Sequence, residues 1–368
     1  MIKTLEELSL TKGEYGGGFS AVDYSEDKPR YIRITDIKEG GELKKDTKSP
    51  SGTEKDWKKY KLVEGDILFA RSGATVGKTF LYEEKYGDCI YAGYLIRFKP
   101  NTKIAYPKYV YYYTRTPKYN AWVLNKQNVV AQPNINAKQY GTELKIPLPP
   151  LPTQKKIAAL LDAADAYRQK TKALIEKYDE LTQSLFLDMF GDPVVNEKGW
   201  ENYKFKDVLE IRNGKNQKAI ENEAGKYPIY GSGGIMSYGD DFISEANSVI
   251  IGRKGNINKP ILVKEKYWHV DTAFGLNPNK TLLMHDYLFW FCNRYNFEQH
   301  NKTVTIPSLT KETLLRISIP VPPIDLQNQF AERIQKIEAQ KAQAQESLEK
   351  AEELFNSLLG RAFKGESL

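Results

Sequence analysis

Ile146-Pro-Leu-Pro-Pro-Leu-Pro-Thr-Gln154 and Ile319-Pro-Val-Pro-Pro-Ile-Asp-Leu-Gln327 align without a gap, 173 positions apart. Each closes a basic, aromatic-rich stretch and opens a long amphipathic one, so the chain is one plan written twice. Prolines cannot continue a helix backwards, and the oxygens of Thr153 and Asp325 stand where an N-cap is wanted. Phe190-Gly-Asp-Pro193 and Phe363-Lys-Gly365 supply stops. From Thr153 to Met189 a helix would run about 55 Å at ~1.5 Å per residue.

The offset persists along both helices. Ile157, Leu161, Ala164, Thr171, Ile175, Tyr178 and Leu185 fall on Phe330, Ile334, Ile337, Ala344, Leu348, Ala351 and Leu358. A stripe sustained at ~3.5 residues is that of a coiled-coil seam. Arg168 and Lys341 interrupt the two stripes at one matched place, where a polar residue fixes register at a cost in stability. One helix packed on its own globular domain explains a single stripe; two stripes in register predict that the helices pair with each other.

The 368 residues, 40% hydrophobic and 12% aromatic, allow two or three folded domains. Apolar runs stay well short of the ~20 residues of a membrane span, and the Met1-Ile-Lys-Thr-Leu-Glu6 start lacks a signal-peptide core, so a cytoplasmic chain is expected. Cys89 and Cys292 read as buried thiols. His269, His285 and His300 have no partner at metal-ligand spacing, so no metal site is expected. The net charge of +7 is unevenly spread: residues 1–152 carry 25 Lys and Arg against 18 Asp and Glu, and 193–320 carry 17 against 14. Both helical stretches, 153–192 and 321–368, are slightly acidic, at 6 against 7 and 6 against 8. Basic domains beside an acidic spacer point the domains at a polyanion and the helices at protein.

Both globular halves follow one order of signals. Gly65-Asp-Ile-Leu-Phe-Ala-Arg-Ser-Gly73 and Asn247-Ser-Val-Ile-Ile-Gly-Arg-Lys-Gly255 read as buried strands entering basic, glycine-containing turns. A second strand follows in each (78–82, 259–263), then an aromatic strand (89–98, 268–276) and a short aromatic helix (106–115, 285–294). Gln132-Pro-Asn-Ile135 matches Ile306-Pro-Ser-Leu309 and leads back to the clamp. Each half is expected to be α+β, with a twisted, mostly antiparallel sheet.

Ligand-facing candidates sit in the basic turns: Arg71, Ser72, Thr75 and Lys78 in the first half, Arg253, Lys254, Asn256 and Lys259 in the second. Arginine bridges two acceptors of a guanine edge, asparagine does so for adenine, and lysine meets phosphate as a point charge. A solvated hairpin tip uses the same residue types. Tyr111, Tyr112, Tyr113, Trp290 and Phe291 invite a base-stacking reading. Consecutive aromatics cannot share one helix face, however, and core packing is the expected role. Ser72-Gly-Ala-Thr-Val-Gly-Lys-Thr79 approaches a phosphate-binding loop but lacks its first glycine and is followed by a strand signal where that motif needs a helix. Nuclease carboxylate clusters and the tetrapeptide of DNA methyltransferases are missing, and the chain reads as non-catalytic.

The duplicated clamp, its glutamine and the long helices through Phe190-Gly-Asp192 and Phe363-Lys-Gly-Glu366 resemble the specificity subunit of type I restriction-modification systems, over the whole chain. The resemblance implies two target-recognition domains separated by a long antiparallel two-helix coiled coil in an internal pseudo-two-fold repeat, with domains 1–152 and 193–325 and spacer helices 153–192 and 326–368. It implies a split double-stranded DNA target, two docked methyltransferase subunits using S-adenosylmethionine, and motor-nuclease subunits using ATP, with no cofactor on this chain. Met1–Leu5 aligns best with Asn202-Tyr-Lys-Phe205, which would bring the N-terminus beside Lys364–Leu368. A coiled-coil scaffold whose two domains bind protein is the alternative.

Overall fold

A computed structural model describes residues 1–127, 133–301 and 307–364. It divides into two compact units, Met1–Thr171 with Ser347–Leu368, and Lys172–Glu346. Along the chain, the strands β1 (Ile2–Thr4), β2 (Glu14–Tyr15), β3 (Ala21–Asp23), β4 (Arg30–Ile32) and β5 (Lys48–Pro50) precede helix α1 (Glu54–Trp57). Next come β6 (Ile67–Ala70), β7 (Thr79–Leu81), β8 (Cys89–Tyr91), β9 (Leu95–Phe98), α2 (Pro107–Tyr113), α3 (Pro117–Gln127), α4 (Ala137–Glu143), β10 (Lys145–Pro147) and the long α5 (Leu151–Phe190). The second half holds β11 (Asn202–Lys204), α6 (Phe205–Val208), β12 (Leu209–Asn213), β13 (Tyr227–Gly231), β14 (Gly234–Gly239), β15 (Ser248–Gly252), β16 (Ile261–Val263), β17 (Trp268–His269) and β18 (Ala273–Pro278). It closes with α7 (His285–Arg294), α8 (Lys311–Leu315), β19 (Ser318–Pro320) and α9 (Ile324–Lys364).

The duplication is visible in strand order. The first unit's main sheet runs β2-β9-β6-β7 and the second's β12-β18-β15-β16, antiparallel throughout. In each, the central strand is buried on both faces, which an uninterrupted apolar run permits. Alternation then divides its side chains between two cores. Ile67 and Phe69 join the cluster under α2, while Leu68 and Ala70 join one with Cys89 and Tyr91. Val249 and Ile251 meet α7, and Ile250 packs with Tyr267.

The aromatic stretches expected to be single strands are each two. β8 pairs parallel with β4 and β17 parallel with β13 before the chain turns to enter the main sheet as β9 or β18. Residues 92–94 and 270–272 form the breaks, because Tyr91 and His269 end one ladder where Leu95 and Ala273 begin another.

Both clamps are closed by a two-stranded ladder. Ile2 pairs with Pro147 in β1–β10 and Asn202 with Pro320 in β11–β19, the alignment of chain starts read from the sequence. Pro150 and Pro323 cap the long helices: the Gln154 N–H donates to Pro150 O at 3.1 Å and the Gln327 N–H to Pro323 O at 3.2 Å. Thr153 and Asp325 therefore lie inside the first turn, not at the N-cap, because Pro152 is tolerated where an N–H would have no partner. Gly191, at φ +74°, ends α5. Gly365 lies outside the described residues.

Within each unit the two long helices pack against each other. In the first, Ile157 and Leu161 share a core with Phe355, Leu359 and Ala362, and the Arg168 guanidinium covers the Phe355 ring at 4.4 Å while bonding Asp165. In the second, Phe330 meets Phe186 and Phe190 with centroids at 5.6 and 5.1 Å, Ile334 packs beside it, and Lys341 pairs with Asp179. Rising numbers on α9 meet falling numbers on α5, so the pairing is antiparallel. Ala164, Ile175, Ile337 and Leu348 are half-buried. Leu185 and Leu358 are half-buried too; Thr182 and Phe186, with Phe355 and Leu359, take the fully buried positions there.

The ends of the helices repeat the same contact. Phe190 packs on Tyr287 and Phe363 on Tyr109, each with centroids 4.9 Å apart, and those tyrosines donate to Pro320 O at 2.7 Å and Pro147 O at 2.8 Å. The last described turn of α9 thus packs on α2, beside the clamp strand that β1 pairs; Gly365–Leu368 lie outside the described residues. Tyr112, Tyr113 and Phe291 are buried, as core packing required, while Tyr111 and Trp290 are half-buried against the same cores.

Candidate nucleic-acid interface

Where the central strand leaves each main sheet, a basic turn is held by backbone bonds to two other segments. In the first unit the Arg71 N–H donates to Tyr94 O at 3.0 Å, Arg71 O accepts from Ile135 N at 2.8 Å, and the Gly73 N–H reaches Pro133 O at 3.2 Å. In the second, Arg253 N–H bonds Thr272 O at 2.8 Å, Arg253 O accepts from Leu309 N at 2.9 Å, and Gly255 N–H bonds Pro307 O at 3.1 Å. Ser72 bridges Asn134 as Lys254 bridges Ser308. The matched segments 133–135 and 307–309 therefore do one job; Gln132 and Ile306 lie outside the described residues.

On this shared frame the side chains differ. Arg71 lies over the Tyr15 ring at 4.8 Å and donates from Nε to Asn134 Oδ1 at 3.3 Å; Tyr94, 61% exposed, stands beside it. Ser72 and Thr75 are half-buried, and the Thr75 hydroxyl donates to Ser72 O at 3.1 Å, closing the turn on itself. Lys78 is drawn off the tip into an ion pair with Glu39 at 2.6 Å. In the second unit Arg253 lies 5.8 Å over Phe274 and reaches Asp271 O at 3.4 Å. Lys254, Asn256 and Lys259 are exposed, and the hairpin turn at Gly233 approaches Asn256.

Tyr15, Tyr94, Asn134 and the Ser232–Gly234 turn join these tips without having been singled out. Their sequence signal is weak: each is an ordinary turn or strand-end residue that becomes relevant only through distant pairing. The Gly-Lys-Thr stretch forms no phosphate loop, since Thr79 begins β7 and its hydroxyl bonds Thr114 Oγ1 at 2.7 Å. Burial pushes the Cys89 thiol up to about 12 and raises that of Cys292 as well, holding both protonated. Among the described residues, no three His, Cys, Asp or Glu gather as a metal ion requires, and no helix is long and apolar enough to cross a membrane.

The chain thus holds two like α+β units and paired long helices, and a family model described as the type I restriction modification DNA specificity domain matches residues 17–178 and again 197–353; the chain belongs to that family. A putative type I restriction enzyme MjaX specificity subunit of Methanocaldococcus jannaschii is 25% identical over 340 residues, covering 83% of this chain and 80% of its own. The MjaVIII specificity subunit of the same organism is 23% identical over 350 residues, covering 80% and 78%. Among solved structures, the S subunit of a type I restriction-modification system from M. genitalium superposes with a TM-score of 0.64 at 15% identity, over 99% of this chain and 96% of that one. A chain from a structure describing complex assembly and conformational transition of the type I R-M system gives 0.58 at 18% identity, over 100% and 98%.

Proposed function

We infer that this chain reads a double-stranded DNA target in two unlike parts, one with each basic tip, and carries no catalysis of its own. Family membership supports DNA target recognition. The observation that carries the finer reading is the frame common to Arg71 and Arg253: equal backbone bonding, different side chains. Identical readers favour a palindrome, whereas unlike readers favour an asymmetric, bipartite target with an unread gap. In this reading the chain addresses partner subunits in the cytoplasm: two methyltransferase subunits carrying S-adenosylmethionine, and motor-nuclease subunits carrying ATP.

Mapping adenine methylation in cells that express the system tests it. The expected pattern is two different half-sites; a continuous or palindromic motif overturns the reading. Arg71→Ala is expected to relax one half-site and Arg253→Ala the other, each by about 1–3 kcal/mol where the arginine grips a guanine. Equal loss on unrelated duplexes would make both arginines phosphate contacts.

A further inference from the structure

The first unit carries a second basic surface besides the Arg71 tip. Between Lys44 and Lys61 the chain places seven lysines against Asp46, Glu54 and Asp56. Lys48 is engaged by Asp23 at 2.9 Å and Lys61 by Asp88 at 3.1 Å. Lys44, Lys45, Lys55, Lys58 and Lys59 are exposed and have no ion-pair partner among the described residues. An excess of like charge opposes folding locally, so the backbone that displays it needs anchoring from beneath.

The anchor is a buried arginine. Arg97, on β9 and 4% exposed, is clamped by Glu14 and lies 3.5 Å from the Asp66 carboxylate. It donates from Nη1 to Lys61 O at 2.7 Å and from Nη2 to Lys59 O at 3.3 Å, so the guanidinium fixes the turn that displays Lys58 and Lys59. Trp57, buried against Tyr31 and Ile90, roots α1 below Lys55. Arg30 links Lys44 to the same place, donating from Nη2 to Lys44 O at 2.7 Å and from its N–H to Asp88 O at 2.8 Å. Opposite the central strand, Arg97 pairs with Leu68 as Gly275 pairs with Ile250. At Gly275 the space above the sheet is filled by Ser244, His269 and Tyr267.

From this, resting on the DNA-reading function inferred above, we propose that the Lys44–Lys61 surface docks the sugar–phosphate backbone of duplex DNA, making the first unit the one that grips. Charge complementarity favours that occupant: residues 1–152 are net +7 where 193–320 are net +3. So does continuity, because the chain runs from Asp88 at the lysine surface through β8 to the Tyr94 turn that holds Arg71, at most about 20 Å at ~3.3 Å per residue. Duplex DNA presents a charge every ~1.7 Å of axis, so one molecule spans both surfaces.

The test measures binding of the full chain to a mixed-sequence duplex between about 50 and 200 mM salt. K55Q/K58Q/K59Q is expected to make the slope of log affinity against log salt shallower by about 2–3, and K55R/K58R/K59R to restore it. K215Q/K218Q/K226Q in the second unit is expected to change it by less than about 1. A native slope in the first variant, with the unaltered chain still binding steeply, overturns the platform and leaves DNA reading intact. Loss of binding to phosphatidylserine vesicles with an unchanged DNA slope overturns it in favour of a lipid surface. An unaltered chain with no salt-dependent affinity for any duplex removes the DNA-reading function itself.

Discussion

Gln154 and Gln327 show how much one buried amide can tie together. Gln154 accepts from Tyr106 N at 2.8 Å and donates to Ile104 O at 2.9 Å and Pro149 O at 2.8 Å. Gln327 accepts from Met284 N at 2.8 Å and donates to Leu282 O at 3.0 Å and Pro322 O at 2.7 Å. Each thereby bolts the start of an aromatic helix to the start of a long one. Both glutamines are fully buried, so an apolar replacement strands main-chain groups away from water. Gln154→Leu is expected to cost about 1–3 kcal/mol for the Tyr106 N–H alone, and Gln327→Leu the same at Met284. Hydrogen exchange at those two amides checks this: each variant should accelerate exchange at its own amide by roughly 5–150-fold. Unchanged protection would mean that the bolt contributes nothing. The clamp glutamines could be seen in the sequence as a repeated pattern, but their partners lie some 50 residues upstream, where local spacing carries no signal.

Elements were legible to the degree that their burial was periodic. β6 and β15 stand out as apolar runs because both faces are covered. The 3.5-residue stripe of the long helices holds while helix faces helix, then gives way to steps of four through Tyr178, Thr182, Phe186 and Phe190. There α5 packs against α7 as well as against Phe330 of α9, so its apolar face broadens beyond a two-helix seam. The break between β17 and β18 was hidden for a different reason, since it depends on a ladder with a distant strand, β13. It also sets a titration. His269 ends β17 fully buried, and desolvation pushes its imidazole down to about 4. An unfolded histidine takes up a proton near 6.5, so below that pH the unfolded state binds more protons than the folded one. The second unit should keep full stability above about 6.5 and lose up to roughly 3 kcal/mol as pH falls toward 4. Urea midpoints read from exchange in residues 268–278 should fall over that window, and His269→Gln should flatten the curve. A native pH dependence in that variant would assign the loss to other groups.

At the scale of the whole chain, the offset between repeats is 173 in clamps and helices but 178 between Tyr106 and Met284 and 182 between Arg71 and Arg253. The helices keep their count while the reading domains absorb insertions, as expected when helix length is the quantity under constraint. The duplicated architecture was legible because the clamp and the helix stripe recur at one offset; the tips were less so, because Tyr15, Tyr94 and Asn134 come together only through tertiary pairing. On the bipartite reading, helix length sets the unread gap in the target. Duplicating Thr171–Lys177 in α5 together with Ala344–Lys350 in α9 adds a heptad, about 10 Å, to each helix and shifts the stripe by only ~20°. At ~3.4 Å per base pair this should lengthen the gap by about three base pairs while leaving both half-sites unchanged, read as a new methylation motif. Extending only one helix leaves the two stripes unequal in length, and modification should be lost. A doubly extended chain that kept its gap and changed its bases would show that the helices do not measure the target.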